Sequence, residues 1–142
     1  MIMTYVLLGV GAFYIIVEDV RFQKIPLKGL VLFGGAGFLK QFWEPELENI
    51  CVAVSLTLIL LSCYGIFSLF KNKPVMGTGD FLLGPSCGLW LRFSELPHFL
   101  IITGLFGVFL GAYWRYRWKM QTFPFGPALI LGLVFTLIMR CF

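Results

Sequence analysis

Six apolar runs separated by short polar connections constrain the fold of this 142-residue chain more than any other feature. A helix needs about 20 residues to cross the hydrocarbon core of a bilayer, with a usual range of about 17–25. The runs lie close to residues 3–18, 27–43, 50–70, 80–94, 97–114 and 124–141. Only 13% of the residues are charged, too few for the polar surface of a soluble domain. The sequence therefore predicts an all-α integral membrane protein with six transmembrane helices.

The connections between these runs are too short to contain a soluble domain, so we expect a single membrane-embedded domain over residues 1–142. Backbone groups in the bilayer core must pair internally, which favours helices, and the period-2 alternation of a barrel strand is absent. The N-terminal segment has no early Lys or Arg. It is therefore expected to be a retained first span rather than a cleaved signal peptide.

The positions of the basic residues predict the orientation, because cytoplasmic connections carry an excess of Lys and Arg. The first, third and fifth connections contain eight of the eleven basic residues: Arg21, Lys24, Lys28, Lys71, Lys73, Arg115, Arg117 and Lys119. These connections are predicted to be cytoplasmic, with both termini on the outer, periplasmic side. The net charge of +4 comes from such short clusters, so we expect no nucleic-acid partner.

Asp19 and Asp80 are the only aspartates, and each lies at the end of an apolar run. An acid at the bilayer centre costs about 2.5–3.5 kcal/mol on insertion scales, so both side chains are expected to face protein or water. In the predicted topology the first run ends at Asp19 on the cytoplasmic side, and the fourth run begins at Asp80 on the same side. The two carboxyl groups are therefore predicted to lie at similar depth and to form one site.

Two neighbouring carboxyl groups can hydrolyse a peptide bond when one is ionised and the other protonated. Like charges about 4 Å apart repel by about 4 kcal/mol at an effective dielectric constant of about 20, so such a pair shares one proton. The pair titrates as a unit, and the residues do not show which aspartate is the acid. We expect Gly77, Thr78 and Gly79 to form a turn whose glycines adopt unusual backbone angles and clear access for a substrate.

No other cluster in the sequence indicates a metal or a cofactor. The cysteines Cys51, Cys63, Cys87 and Cys141 are far apart in sequence and include no C-x-x-C motif. His98 is the only histidine, and one histidine does not make a metal site. Because intramembrane carboxyl groups also relay protons, a small proton-coupled transporter that uses the same acids is an alternative hypothesis.

Three separated stretches resemble motifs of the type IV prepilin peptidase family. Asp19–Pro26 resembles the family's first-aspartate motif, and Met76–Asp80 is similar to its G-x-G-D motif. Phe123–Gly132 is similar to the Pro-Phe-Gly-Pro segment that opens its last helix. The resemblance covers the six-helix peptidase part and implies a GxGD-type aspartic endopeptidase whose catalytic pair is Asp19 and Asp80, with no cofactor and no metal.

The resemblance also implies a substrate and a location. Such enzymes remove the short basic leader from type IV prepilins or pilin-like secretion proteins at the cytoplasmic face of the bacterial inner membrane. A prepilin or pseudopilin and the lipid bilayer are thus the expected partners, while the oligomeric state is not indicated. Larger members carry a cytoplasmic domain with paired cysteines and also methylate the new N-terminus; no such domain is found in this sequence, so cleavage without N-methylation is expected.

Two positions depart from the family pattern. Leu27 follows Ile-Pro where Asn is frequent, and Leu82 stands where many bacterial members have Lys. Leu82 cannot make the contact that this Lys makes in those members, but both carboxyl groups are still present. This departure also leaves a third hypothesis, a diverged and inactive assembly factor of a secretion system.

Overall fold

A computed structural model describes residues 2–71, 77–118 and 124–140 of the chain. The described residues form α1 (Ile2–Phe22), α2 (Leu27–Trp43), α3 (Leu47–Lys71), α4 (Thr78–Gly88), α5 (Leu96–Trp118) and α6 (Gly126–Met139), with a short 3-10 helix at Phe93–Glu95. The predicted all-helical class is confirmed. Met76 and Phe123, which belong to two of the motifs, and the basic residues Lys73 and Lys119 lie outside the described residues.

The helices form three consecutive hairpins. The most extensive contacts join α1 to α2, α3 to α4 and α5 to α6. Helix α4 also packs against α2 and α6, and α1 packs against α6. Therefore α4 occupies a central place in the bundle, and its first turn is brought near the end of α1 and the start of α6.

Glycines allow the α3–α4 hairpin to close tightly. A Cβ atom placed at Gly88 would lie 2.5 Å from the Cα of Ala53, so the two backbones are almost in contact. One turn earlier, Gly84 faces the side chain of Leu60 on α3. In lipid, small residues four apart permit this kind of approach. The Gly84-x-x-x-Gly88 spacing thus places both glycines of α4 against α3.

Helix α4 is shorter than the apolar run suggested. The run at 80–94 predicted a helix throughout, but α4 ends at Gly88 and the chain then turns. The backbone N–H groups of Trp90 and Leu91 bond to carbonyl groups three residues back, at 3.1 and 3.2 Å. Trp90 and Leu91 are 1% and 0% exposed. The chain leaves the helix because this turn directs consecutive apolar side chains into the bundle interior.

Three helices of the described part are long and apolar enough to cross a membrane: Met3–Phe22, Leu47–Ile66 and Phe93–Arg117. The other three are shorter, with 17 residues in α2, 11 in α4 and 14 in α6. At 1.5 Å per residue, α4 rises only about 16 Å, roughly half the thickness of a hydrocarbon core. Length and hydropathy together therefore support three crossings.

The outer surface of the bundle is apolar along whole helix faces. On α1, α3 and α5 the exposed large side chains recur every three or four residues: Met3, Val6, Val10, Phe13, Val54, Leu58, Leu61, Ile101, Leu105 and Val108. A soluble monomer rarely exposes continuous apolar stripes of this length. The surface is that of a protein surrounded by lipid.

The end of the bundle where α2 ends and α3 begins is joined by polar contacts. Lys40 Nζ lies 3.8 Å from Glu46 Oε2, and Asn49 donates a hydrogen bond to the same oxygen at 3.0 Å. Arg92 Nη2 lies 3.9 Å from Glu46 Oε1. Beside them, Arg140 Nε lies 3.3 Å from Glu95 Oε1. We refer to this group as the polar cluster: Lys40, Glu46, Asn49, Arg92, Glu95 and Arg140.

Candidate active site

Asp19 lies near the end of α1, opposite the polar cluster, and is 3% exposed. Its Oδ2 atom accepts a hydrogen bond from the backbone N–H of Gly126 at 3.0 Å. Gly126 is the first residue of α6, and the N-terminus of a helix carries a partial positive charge. The contact therefore places the acid where a negative charge is stabilised and ties α1 to α6 across 107 positions of sequence.

Only glycine fits at position 126. A Cβ atom there would lie 2.6 Å from Asp19 Oδ2 and 3.4 Å from its Cγ. The residue that caps α6, Phe125, provides no side-chain hydrogen bond to the helix N-terminus, so Asp19 supplies that acceptor from α1. Our sequence reasoning included Gly126 only in the family resemblance; its place between Pro124 and Pro127 was the available signal.

Asp80 is the third residue of α4 and is half-buried. Its backbone N–H donates to the Gly77 carbonyl at 3.1 Å, and its carboxyl group is hydrogen-bonded to the Gly77 backbone. Gly79, the residue before Asp80, and Gly126, which binds Asp19, both lie against the side chain of Ile25. The structure thus brings the two predicted acids together at the same end of the bundle.

The predicted turn at Gly77, Thr78 and Gly79 is wrong in two respects. Thr78 and Gly79 already belong to α4, and only Gly77 precedes it, as the N-cap. Gly77 has φ −72° and ψ 146°, which any residue can adopt, and no glycine in the described part has a positive φ. The glycines therefore do not supply unusual backbone angles.

Gly79 also does not clear access for a substrate. A Cβ atom at Gly79 would lie 2.7 Å from the Cβ of Ile25, so the space left by the missing side chain is occupied by Ile25. Thr78 and Gly77, by contrast, are exposed. Gly79, predicted to give a substrate access, permits close packing between α4 and the α1–α2 connection.

Ile25 connects the surroundings of both acids, and the sequence indicated it only as part of the Asp19–Pro26 motif. Its Cδ1 atom would lie 3.1 Å from a Cβ at Gly79 and 3.5 Å from a Cβ at Gly126. The chain reaches this position because Gln23 has φ 52°, a left-handed conformation that ends α1, while its N–H bonds to the Asp19 carbonyl at 2.8 Å. No periodic pattern in the sequence indicates such a contact.

Position 82, where Leu replaces the Lys found in many family members, lies on the outer side of α4. Leu82 is 52% exposed, whereas the next residue, Leu83, is fully buried.

Within the described ranges, no three or more His, Cys, Asp or Glu side chains are grouped so that they could bind a metal ion.

The model of the Type IV leader peptidase family matches residues 5–112. This range includes the Asp19–Pro26 and Met76–Asp80 stretches and ends before Phe123. No solved structure shows a significant match to the chain.

Similar curated proteins carry the name prepilin leader peptidase/N-methyltransferase. One from Aeromonas hydrophila is 38% identical over 53% of this chain and 27% of its own length. One from Aeromonas salmonicida (strain A449) is 33% identical over 72% of this chain and 36% of its own length. One from Pseudomonas putida is 34% identical over 63% of this chain and 32% of its own length. The alignments thus span about a third or less of these relatives.

Proposed function

The chain belongs to the type IV leader peptidase family, and we propose that it is an aspartic endopeptidase that removes the short basic leader from type IV prepilins or pilin-like secretion proteins. The observation that carries the proposal is that Asp19 and Asp80 lie at one end of the bundle, where the Ile25 side chain lies against Gly79 and Gly126. Family membership does not favour the proton-coupled transporter that the same acids would also allow.

In the proposed mechanism Asp19 and Asp80 act as a pair that shares one proton. The ionised carboxylate takes a proton from a water molecule as its oxygen attacks the carbonyl carbon of the scissile peptide bond. The protonated carboxyl group donates a hydrogen bond to the carbonyl oxygen, which stabilises the negative charge that develops on that oxygen. Collapse of the tetrahedral intermediate breaks the C–N bond, and the leaving amine takes a proton from the pair.

We place this site at the cytoplasmic face of the inner membrane, with six crossings and both termini on the periplasmic side. The distribution of Lys and Arg supports this orientation. Helix α4 is too short to cross alone, but the chain continues through Leu89, Trp90 and Leu91, which are all buried. Irregular backbone is tolerated at membrane depth where protein encloses it, so this segment can complete the fourth crossing.

The proposal is tested by co-expressing the chain with a prepilin and following leader removal by mass spectrometry. Asp19→Asn and Asp80→Asn each remove an ionisable group at nearly constant shape. Each should lower the cleavage rate by about 10³-fold or more, because both carboxyl groups act in the same step. The spectrum also gives the cleavage position and checks the expectation that the new N-terminus carries no methyl group.

The matched control is Glu18→Gln, which neutralises the half-buried acid next to Asp19. This variant should process the prepilin at close to the wild-type rate. Thermal unfolding in detergent would show that all three variants are folded. Wild-type processing by either aspartate variant would exclude the proposed mechanism.

A further inference from the structure

We propose that Ile25 is a positioning residue that sets the separation of the Asp19 and Asp80 carboxyl groups, an inference that rests on the proposed function. Ile25 lies in the connection between α1 and α2, six residues beyond Asp19. It is half-buried and packs against the apolar core. Its side chain lies between the residue that precedes Asp80 and the residue that binds Asp19.

The contacts on the α4 side are made along the whole side chain. Atoms Cβ, Cγ1 and Cδ1 of Ile25 would lie 2.7, 3.1 and 3.1 Å from a Cβ at Gly79. Gly79 is the residue directly before Asp80, in the first turn of α4. A change in the volume of the Ile25 side chain therefore acts on the backbone that carries Asp80.

The contact on the α6 side is made by the tip of the same side chain. Only Cδ1 of Ile25 comes within 3.5 Å of the Cβ position at Gly126, the residue whose N–H binds Asp19 Oδ2. The Cδ1 methyl group thus lies against both Gly79, which precedes Asp80, and Gly126, which binds Asp19. Removing it would take away the shared contact and leave the branched carbon in place against Gly79.

The backbone around Ile25 is fixed on both sides. Gln23 turns the chain with φ 52°, and Pro26, with φ −71° and ψ 131°, caps α2. Isoleucine is itself stiff at χ1 because it is branched at Cβ. The side chain therefore acts as a spacer between α4 and α6, with Cγ1 placed by χ1 and Cδ1 at its tip.

The test compares Ile25→Val with Ile16→Val in the purified chain. Ile16, on α1, is also half-buried and packed against the core, but it is not among the nearest neighbours of a Cβ placed at Gly79 or Gly126. With a prepilin substrate, Ile25→Val should lower kcat about 10-fold and change KM less than two-fold, because misplaced catalytic groups lose rate even when binding is intact. Ile16→Val should change both constants less than two-fold. Equal kcat values for the two variants, or a rise in KM alone for Ile25→Val, would overturn the proposal.

A second measurement reports the geometry without using activity. Asp19→Cys and Asp80→Cys are combined in a chain whose four native cysteines are replaced by serine, and a short bifunctional thiosulfonate is used to bridge the two thiols. Adding Ile25→Val should lower the yield of the bridge at least three-fold, and adding Ile16→Val should not. An unchanged yield refutes the positioning role. A changed yield, together with an otherwise wild-type chain that cleaves no prepilin, refutes the proposed function alone.

Discussion

Asp19 is held by a backbone N–H, and this makes its position depend on one glycine. Because Gly126 has no Cβ, the first turn of α6 can approach the Asp19 carboxyl group to 3.0 Å. Any larger residue at position 126 would have to displace the acid, since the added atom would lie 2.6 Å from Oδ2. The placement of one proposed catalytic group is thus decided by a residue at the start of a distant helix.

We expect Gly126→Ala to lower kcat for prepilin cleavage by about 10- to 100-fold, because a displacement of about 1 Å at a reacting group can cost that much. Initial cleavage rates of the purified variant would measure the effect. The control is Gly104→Ala on α5, where an added Cβ meets nothing within 4 Å. That variant should cleave within two-fold of wild type, and a wild-type rate for Gly126→Ala would contradict the proposed geometry.

At the scale of the helices, the α3–α4 hairpin depends on contact between backbones. The added Cβ of Gly88→Ala would meet the backbone of Ala53 at 2.5 Å, and no flexible side chain is available to move aside. The helices must therefore separate, and we expect a loss of about 1–3 kcal/mol in the free energy of unfolding. Denaturant titration in mixed micelles would measure it.

The matched control for this prediction is Gly35→Ala on α2. An added Cβ at Gly35 meets nothing within 4 Å. Alanine in a helix interior is more favourable than glycine by about 0.5–1 kcal/mol, so this variant should be as stable as wild type or slightly more stable. A larger loss for Gly35→Ala than for Gly88→Ala would be inconsistent with the packing described above.

The sequence predicts those elements whose limits are local. Residues 27–43 form α2 as the apolar run indicated, because Pro26 caps the helix directly before the run and the acid Glu44 follows Trp43. The meeting of Asp19 and Asp80 also followed, since hydrophobic runs and basic connections fix which helix ends share one side. The roles of Ile25 and Gly126 did not, because their contacts join segments far apart in sequence and leave no periodic pattern.

The prediction that Gly79 gives access to a substrate was wrong for the same reason, since its contact is with a segment far away in sequence. A glycine next to a functional residue can serve either an unusual backbone angle or a close approach, and the local sequence does not distinguish them. Here the neighbour is Ile25, which belongs to another connection. The end of α4 at Gly88 was missed because burial of Trp90 and Leu91 depends on the surrounding helices rather than on the run itself.

For the whole molecule, the proposed orientation predicts which surface positions are reached from the periplasm. Ser94 and Lys24 are both exposed and lie at opposite ends of the bundle. In a cysteine-free chain, Ser94→Cys should react with a membrane-impermeant maleimide in intact spheroplasts, and Lys24→Cys should react only after lysis. The reverse labelling pattern would place Asp19 and Asp80 on the periplasmic side.

The two ends of the bundle are held together in different ways. At one end the polar cluster joins α2, α3, the segment after α4 and the end of α6 through charged groups. At the other, the described contacts around the acids include the hydrogen bonds of Asp19 to Gly126 and of Asp80 to Gly77, and the apolar side chain of Ile25. A helix of 17 residues is about 25 Å long. If the end at the polar cluster keeps its position, a tilt of about 5° therefore moves the other end of such a helix by about 2 Å. Small angular changes are therefore amplified into displacements where Asp19 and Asp80 meet.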